Sequence, residues 1–157
     1  MIQRKQTIYL FFAGLVTFIL LFIPFGYIST DLAYYKYDAF AVREATPDKT
    51  FILNTVGNAA LLIVTSALSF ITIFLYKNRK IQVKLISVNM LVVLVAIFTI
   101  MYIYPNFIFP KNINLTNTHL EYNYVIIISF VSAIGLYLAK KAIMKDEAMV
   151  RSADRLR

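Results

Sequence analysis

The sequence predicts an all-α integral membrane protein: a four-helix bundle with both termini cytoplasmic and helix four extending into the cytoplasm. Two observations predict it. Four apolar segments, at about residues 7–25, 51–76, 85–104 and 124–142, each have the length of a bilayer crossing, and none carries Asp, Glu, Lys, Arg or His in its interior. A hydrocarbon core of about 30 Å needs about 20 apolar residues at the helical rise, and lipid offers the backbone no hydrogen-bond partner, so such segments are helices. A mean hydropathy of +0.70, with 60% hydrophobic residues in 18.0 kDa, would leave a soluble domain too little polar surface to cover its core.

The first segment follows Arg4 and Lys5 as a signal peptide would. Its apolar run is long, however, and Gly26-Tyr27-Ile28-Ser29-Thr30 puts Ile and Tyr where a peptidase needs small side chains, so it reads as a retained anchor. Pro24 ends this helix near its exit. The exported loop 26–50 sets Tyr27, Tyr34, Tyr35, Tyr37 and Phe40 among scattered charges. Rings with polar tips favour the headgroup level, so the loop reads as an interfacial cap. Tyr34, Tyr35 and Tyr37 are its candidates for contact with an exported partner.

In the second segment Asn58, Thr65, Ser69 and Thr72 fall on one helical face at spacings of seven, four and three, with Gly57 and Ala60 nearby. The third carries Asn89, which like Asn58 lies near a helix end, where its amide reaches headgroup water or a neighbouring carbonyl. Pro105 and Pro110 are expected to end this third helix. The exported loop 105–123 then contains Asn112, Asn114, Asn117 and Asn123, residues that suit turns. Its sequon, Asn114-Leu115-Thr116, is a pattern frequent by chance. The fourth segment shows Ser132, Gly135, Ala139 and Ala142 at spacings of three, four and three. Lipid supplies little hydrophobic force between helices, so small and hydroxyl-bearing faces like these two are expected to pack inward. The tail, 143–157, contains no helix breaker. Glu147 is placed to pair with Arg151, and Arg151, Asp154, Arg155 and Arg157 are candidates for contact with a cytoplasmic partner.

Charge placement sets the orientation, because basic residues near membrane ends are retained in the cytoplasm. Arg4 and Lys5, then Lys77, Arg79, Lys80 and Lys84, then Lys140, Lys141, Lys145, Arg151, Arg155 and Arg157 flank one side. The other side has Lys36, Arg43, Lys49 and Lys111, offset by Asp31, Asp38, Glu44, Asp48 and Glu121. This asymmetry also accounts for an isoelectric point near 9.7. Basic residues at helix ends meet anionic headgroups, so the expected partners are membrane lipids and other inner-membrane subunits. A translocon or ribosome contact through the basic tail fits this pattern; specific DNA binding does not.

The residues offer little chemistry. There is no cysteine, which excludes disulfides and thiolate metal sites. His119 and Glu121 would share a face of an extended segment, but zinc catalysis takes three protein ligands and acid–base work takes a partner group. No catalytic, metal or cofactor-binding residue is assigned, no cofactor is expected, and the chain is not expected to be an enzyme. A lipid-modifying site would have to draw on Asp31, Asp38, Glu44, Asp48, His119 and Glu121. A secondary transporter would show interrupted spans and a charged midplane.

The opening Met1-Ile2-Gln3-Arg4-Lys5-Gln6-Thr7, the four spans and the ending Arg151-Ser152-Ala153-Asp154-Arg155-Leu156-Arg157 resemble an uncharacterised family of small bacterial inner-membrane proteins, a domain of unknown function. The resemblance covers essentially the whole chain and implies a Gram-negative inner membrane; it brings no catalytic residues. The expectation is therefore a non-enzymatic accessory or scaffold subunit of a larger inner-membrane complex, in envelope biogenesis or protein export. An oligomeric small-molecule transporter or channel is the alternative.

Overall fold

A computed structural model describes residues 5–30, 33–46, 50–112 and 119–155. Its helices are α1 (Lys5–Ile19), α2 (Val56–Phe74), α3 (Arg79–Phe98) and α5 (Val125–Arg155). After α3 a π-helical segment, Thr99–Ile108, runs into a single turn, α4 (Phe109–Asn112). Four strands separate α1 from α2: β1 (Gly26–Ser29), β2 (Tyr34–Tyr37), β3 (Ala41–Glu44) and β4 (Phe51–Asn54). A fifth, β5 (His119–Tyr122), precedes α5.

The expected all-α class is therefore wrong. The fold is mixed, a helical bundle joined to a five-stranded antiparallel sheet in the order β4-β3-β2-β1-β5. Both regions read as separate loops contribute to this one sheet, since β5 pairs with β1: Gly26 faces Tyr122 and Ser29 faces His119. Each strand is four residues long, so none could bury a face alone. The apolar run Phe51–Asn54, which continues into the second segment, is a strand because Thr55 has a non-helical backbone (φ −117°, ψ 18°) and α2 starts after it.

The helices keep to a heptad grammar. Buried positions recur at spacings of four and three: Gln6, Leu10, Ala13, Thr17 in α1; Asn58, Leu62, Thr65, Ser69, Thr72 in α2; Gln82, Ile86, Asn89, Val93, Ala96, Ile100 in α3 and its continuation; and Ser129, Ser132, Leu136, Ala139, Ile143 in α5. This is the seam spacing of left-handed bundles. α1 and α3 each pack against both α2 and α5, which puts α2 and α5 on a diagonal.

Three helices are long and apolar enough to cross a membrane: Val56–Phe74, Arg79–Ile108 and Ile127–Val150. α1 is shorter, with 15 residues, or about 22 Å of helix. The remainder of that apolar segment leaves the helix before Pro24, and Leu20, Leu21 and Phe25 turn into the core beneath the sheet. The third helix does not stop at Pro105. It passes through that residue in the wider π register.

Candidate functional site

The alternation of each strand decides what faces the helices. Ile28, Tyr37 and Val42 point inward and are buried, with Tyr35, Leu53 and Leu120 packed beside them against Leu20, Phe25, Leu62, Ile100 and Phe109. The β2–β3 turn locks onto α2. Asp38 Oδ1 accepts hydrogen bonds from the N–H groups of Phe40 (3.0 Å) and Ala41 (2.9 Å), closing an Asx turn. Thr55 Oγ1 donates to the Asp38 carbonyl at 2.8 Å, and the Ala59 N–H donates to the Ala39 carbonyl at 3.2 Å. A helix start leaves four N–H groups without intrahelical acceptors. Here the turn takes one, and the Asn54 side chain takes the Val56 N–H at 2.8 Å.

Tyr37 is the joint between the two layers. It is 0% exposed, and its ring meets Phe25 edge-on at 5.3 Å, Phe109 at 5.0 Å and Tyr104 at 6.1 Å. Asn58 Nδ2 donates to Tyr37 Oη at 2.8 Å, and Tyr37 Oη donates in turn to the Ile100 carbonyl at a long 3.5 Å. Ile100 needs that donor. In a π-helix each N–H bonds five residues back, and Pro105, five residues after Ile100, has no N–H to give. Tyr122 of β5 similarly donates to the adjacent Met101 carbonyl at 2.9 Å. Two tyrosines from the sheet thus serve the carbonyls around a proline-disturbed turn. Burial pushes the Tyr37 phenol far above its ordinary range, against a smaller opposing contribution from the Asn58 hydrogen bond, and burial also raises Tyr122.

Of the aromatic contact candidates, Tyr34 is exposed at 63%, Tyr35 is half-buried, and Tyr37 is sealed in the core. The placement of Tyr37 on an exposed contact surface is therefore corrected: its period-two partnership with Tyr35 turns it inward. The outward face holds a different set. Register lines up Glu121, Tyr27, Lys36, Arg43 and Phe51 across five strands, a row of roughly 19 Å at the usual strand spacing. Lys36 and Arg43 are directly opposed like charges, an unfavourable pairing. Neither has an ion pair among the described residues. Tyr27 and the well-exposed Phe51 flank them. His119 and Glu121 share this outward face of β5, and among the described residues no three His, Asp or Glu side chains gather.

Within the bundle, Asn58, Thr65, Ser69 and Thr72 all face inward and are buried. Asn58 meets Tyr37 of the sheet, and Thr65, Ser69 and Thr72 meet α3 rather than α5. Asn89 Nδ2 donates to Ser69 Oγ at 2.8 Å and to the Thr65 carbonyl at 3.2 Å, and Gln82 Nε2 donates to the Thr72 carbonyl at 2.9 Å. Of the two partners expected for the Asn89 amide, headgroup water or a neighbouring carbonyl, it takes the carbonyl, and the residue is a buried cross-link. Asn58 Oδ1, Thr65 Oγ1, Gln82 Oε1 and Asn89 Oδ1, buried along this seam, have no hydrogen-bond partner among the described residues. The α5 set meets α1: Ser132 Oγ donates to the Ala13 carbonyl at 3.4 Å, Gly135 lies against Ala13, and Ala139 is buried. A void of about 10 Å³ remains near Thr17, Leu62, Val93 and Ser129, room for about one water.

The α1 seam and Gln82 escaped the sequence reading, although Ala13-Gly14 with Thr17 repeats the small-residue signal used for α2 and α5. Arg151, Asp154 and Arg155 continue the backbone of α5, but their side chains, like Arg157, lie outside the described residues. Arg79 Nη1 donates to the Asp146 carbonyl at 3.2 Å, fastening α5 beside the start of α3.

The DUF4293 family, a domain of unknown function, matches residues 2–156. The chain is a member of DUF4293. No curated protein matches it. In this DUF4293 chain the sheet–bundle joint, the outward aromatic–cationic row and the buried amide seam between α2 and α3 gather the polar side chains described above.

Proposed function

We propose that this DUF4293 chain is a multi-pass protein of the bacterial inner membrane with both termini cytoplasmic, and that it serves as a non-enzymatic accessory or scaffold subunit of a larger membrane complex. The setting is envelope biogenesis or translocon-associated export. The observation that carries this reading is the outward sheet face, where Lys36 and Arg43 stand directly opposed between Tyr27 and Phe51, neither of them in an ion pair among the described residues. Such a pairing is relieved by an acidic surface on a second protein, and exposed aromatic and Arg side chains are the usual anchors of protein interfaces. Support for membrane insertion comes from the helices, whose outer faces carry Phe74, Leu91 and Ile127 at 62–78% exposure while the amides and hydroxyls sit inside. The basic flanks at residues 77–84 and 140–145 support a cytoplasmic position for those ends.

Affinity purification from native membranes in mild detergent, with mass spectrometry of what co-migrates, tests the reading. A stoichiometric partner lost in the Lys36→Glu/Arg43→Glu double variant supports it; a lone monomer or homo-oligomer overturns it. Changing Arg151, Arg155 and Arg157 to Glu tests the cytoplasmic contact in the same way. An oligomeric transporter or channel is the second reading, favoured by buried oxygens along α2 and α3 that have no hydrogen-bond partner among the described residues. Solute flux in proteoliposomes, abolished by Asn58→Leu or Asn89→Leu, would establish it.

A further inference from the structure

α1 and α2 are pinned together at one level and part below it. At Gly14 a Cβ would lie 3.1 Å from Ser69 Cβ and 3.3 Å from the Phe70 ring, so only hydrogen fits comfortably. Ser66 Oγ adds a hydrogen bond to the Gly14 carbonyl at 3.1 Å. Toward the end of the bundle where α1 begins and α2 finishes, the same two helices open a groove of about 520 Å³ walled by Ile8, Phe11, Phe12, Phe70, Ile73 and Phe74. That volume lies within the range of small-molecule pockets. Phe11 packs edge-on against Phe70 at 6.0 Å and against Phe12 at 6.2 Å, which gives the groove stiff aromatic sides.

The mouth differs in kind from the walls. Lys5 opens α1, two residues before the groove lining at Thr7, and Lys77 follows Phe74 by three residues; both are exposed. Neither is held in an ion pair among the described residues. Two cations thus stand within about one helical turn of a slot that offers an occupant almost nothing but hydrocarbon.

We propose that this groove binds one acyl chain of an anionic phospholipid, with the lipid phosphate held between Lys5 and Lys77. An apolar slot rejects a polar solute, because each buried polar group would lose its hydrogen bonds to water. A hydrocarbon chain loses none. Lysines at headgroup level favour an anionic lipid over a zwitterionic one, here by roughly tenfold or more for the pair. The inference rests on the membrane-embedded reading, and it adds a position and a headgroup charge to it.

The test uses the whole protein in phosphatidylcholine vesicles carrying a trace of phosphatidylglycerol or phosphatidylcholine with a photoreactive acyl chain. Cross-links are mapped by mass spectrometry. The expected result is labelling concentrated in peptides covering 7–12 and 70–74, roughly tenfold stronger with phosphatidylglycerol. Lys5→Gln/Lys77→Gln should erase that preference while leaving the labelled positions unchanged. Ile73→Trp, which fills the slot, should lower labelling there and leave the outer faces at Leu91 and Ile134 as before. Label spread evenly over Leu91, Val131 and Ile134, or equal labelling by the two lipids, would overturn the proposal. Flotation of the same vesicles separates the two levels: protein that floats but labels diffusely sinks only this inference, whereas protein left behind also removes the membrane reading.

Discussion

Both regions bury apolar side chains, but the bundle also buries amides and hydroxyls and turns large apolar side chains outward. In the bundle Asn58, Thr65, Ser69, Gln82 and Asn89 are buried, while Phe74, Leu91 and Ile127 stand outside. In the sheet Ile28, Tyr37 and Val42 are buried, and Lys36, Arg43 and Glu121 point away from the helices. In water, burying apolar surface drives association; in lipid it does not, and close backbone approach with interhelical hydrogen bonds takes over. Under the membrane reading proposed above, the solvent changes at the joint, where Tyr37 from the sheet meets Asn58 from the bundle.

The sharpest way to break the comparison is to remove that joint. Tyr37→Ala deletes a fully buried ring and two hydrogen bonds, and is expected to cost about 3–5 kcal/mol, as large-to-small core changes do. The helices should survive, so limited proteolysis is expected to cut within 26–54 while helical circular dichroism holds. Gly26→Ala comes next. A Cβ there would lie 2.6 Å from the Glu121 carbonyl oxygen, so β5 must shift, at about 1–3 kcal/mol, read as a lowered melting temperature in detergent.

Alkaline pH acts on the same joint. Burial raises the Tyr37 phenol, so the folded protein keeps a proton that the unfolded chain releases near pH 10. Its contribution is complete below that pH and declines as pH rises above it, at about 1.4 kcal/mol per pH unit. Alkaline titration of wild type and Tyr37→Phe is expected to show a flatter decline in the variant. Asn89→Leu should have the smallest effect. It removes two interhelical hydrogen bonds together with an unpartnered oxygen, and bonds of this kind in lipid average about 0.6 kcal/mol each. A loss in detergent or bilayer as large as that of Tyr37→Ala would mean that the bundle interior is not the mild hydrogen-bonded seam described here.

The helices were legible in the sequence because uncharged apolar stretches of this length have few other structures open to them. The small and hydroxyl-bearing stripes of α2 and α5 were legible for the same reason: in an otherwise apolar helix, a Ser or Thr repeated at helical spacing stands out. The sheet was not. A four-residue strand gives only two alternations, and Phe51–Asn54 leads into an apolar helix, where a short run does not distinguish strand from helix. β1 and β5 pair across about ninety residues, a contact no local pattern announces. Tyr37 looked like its exposed neighbour Tyr34, since both are aromatic residues with polar tips; only register separates them. Pro105 was read as a stop because its missing N–H normally ends a helix. The signal it lacked was the distant Tyr37 hydroxyl that serves the vacated carbonyl.

The central claim, that the two regions meet different solvents, is open to direct measurement because the chain has no cysteine. Single cysteines at Tyr34 on the sheet, at Leu91 and Ile134 on the bundle's outer faces, and at Lys77 and Ser152 beyond its other end would be labelled with a membrane-impermeant maleimide. Tyr34→Cys is expected to react from the exported side, Lys77→Cys and Ser152→Cys only after the membrane is permeabilised, and Leu91→Cys and Ile134→Cys only once the protein is unfolded out of the bilayer. Labelling of Leu91→Cys and Ile134→Cys as fast as Tyr34→Cys in intact membranes would contradict that claim.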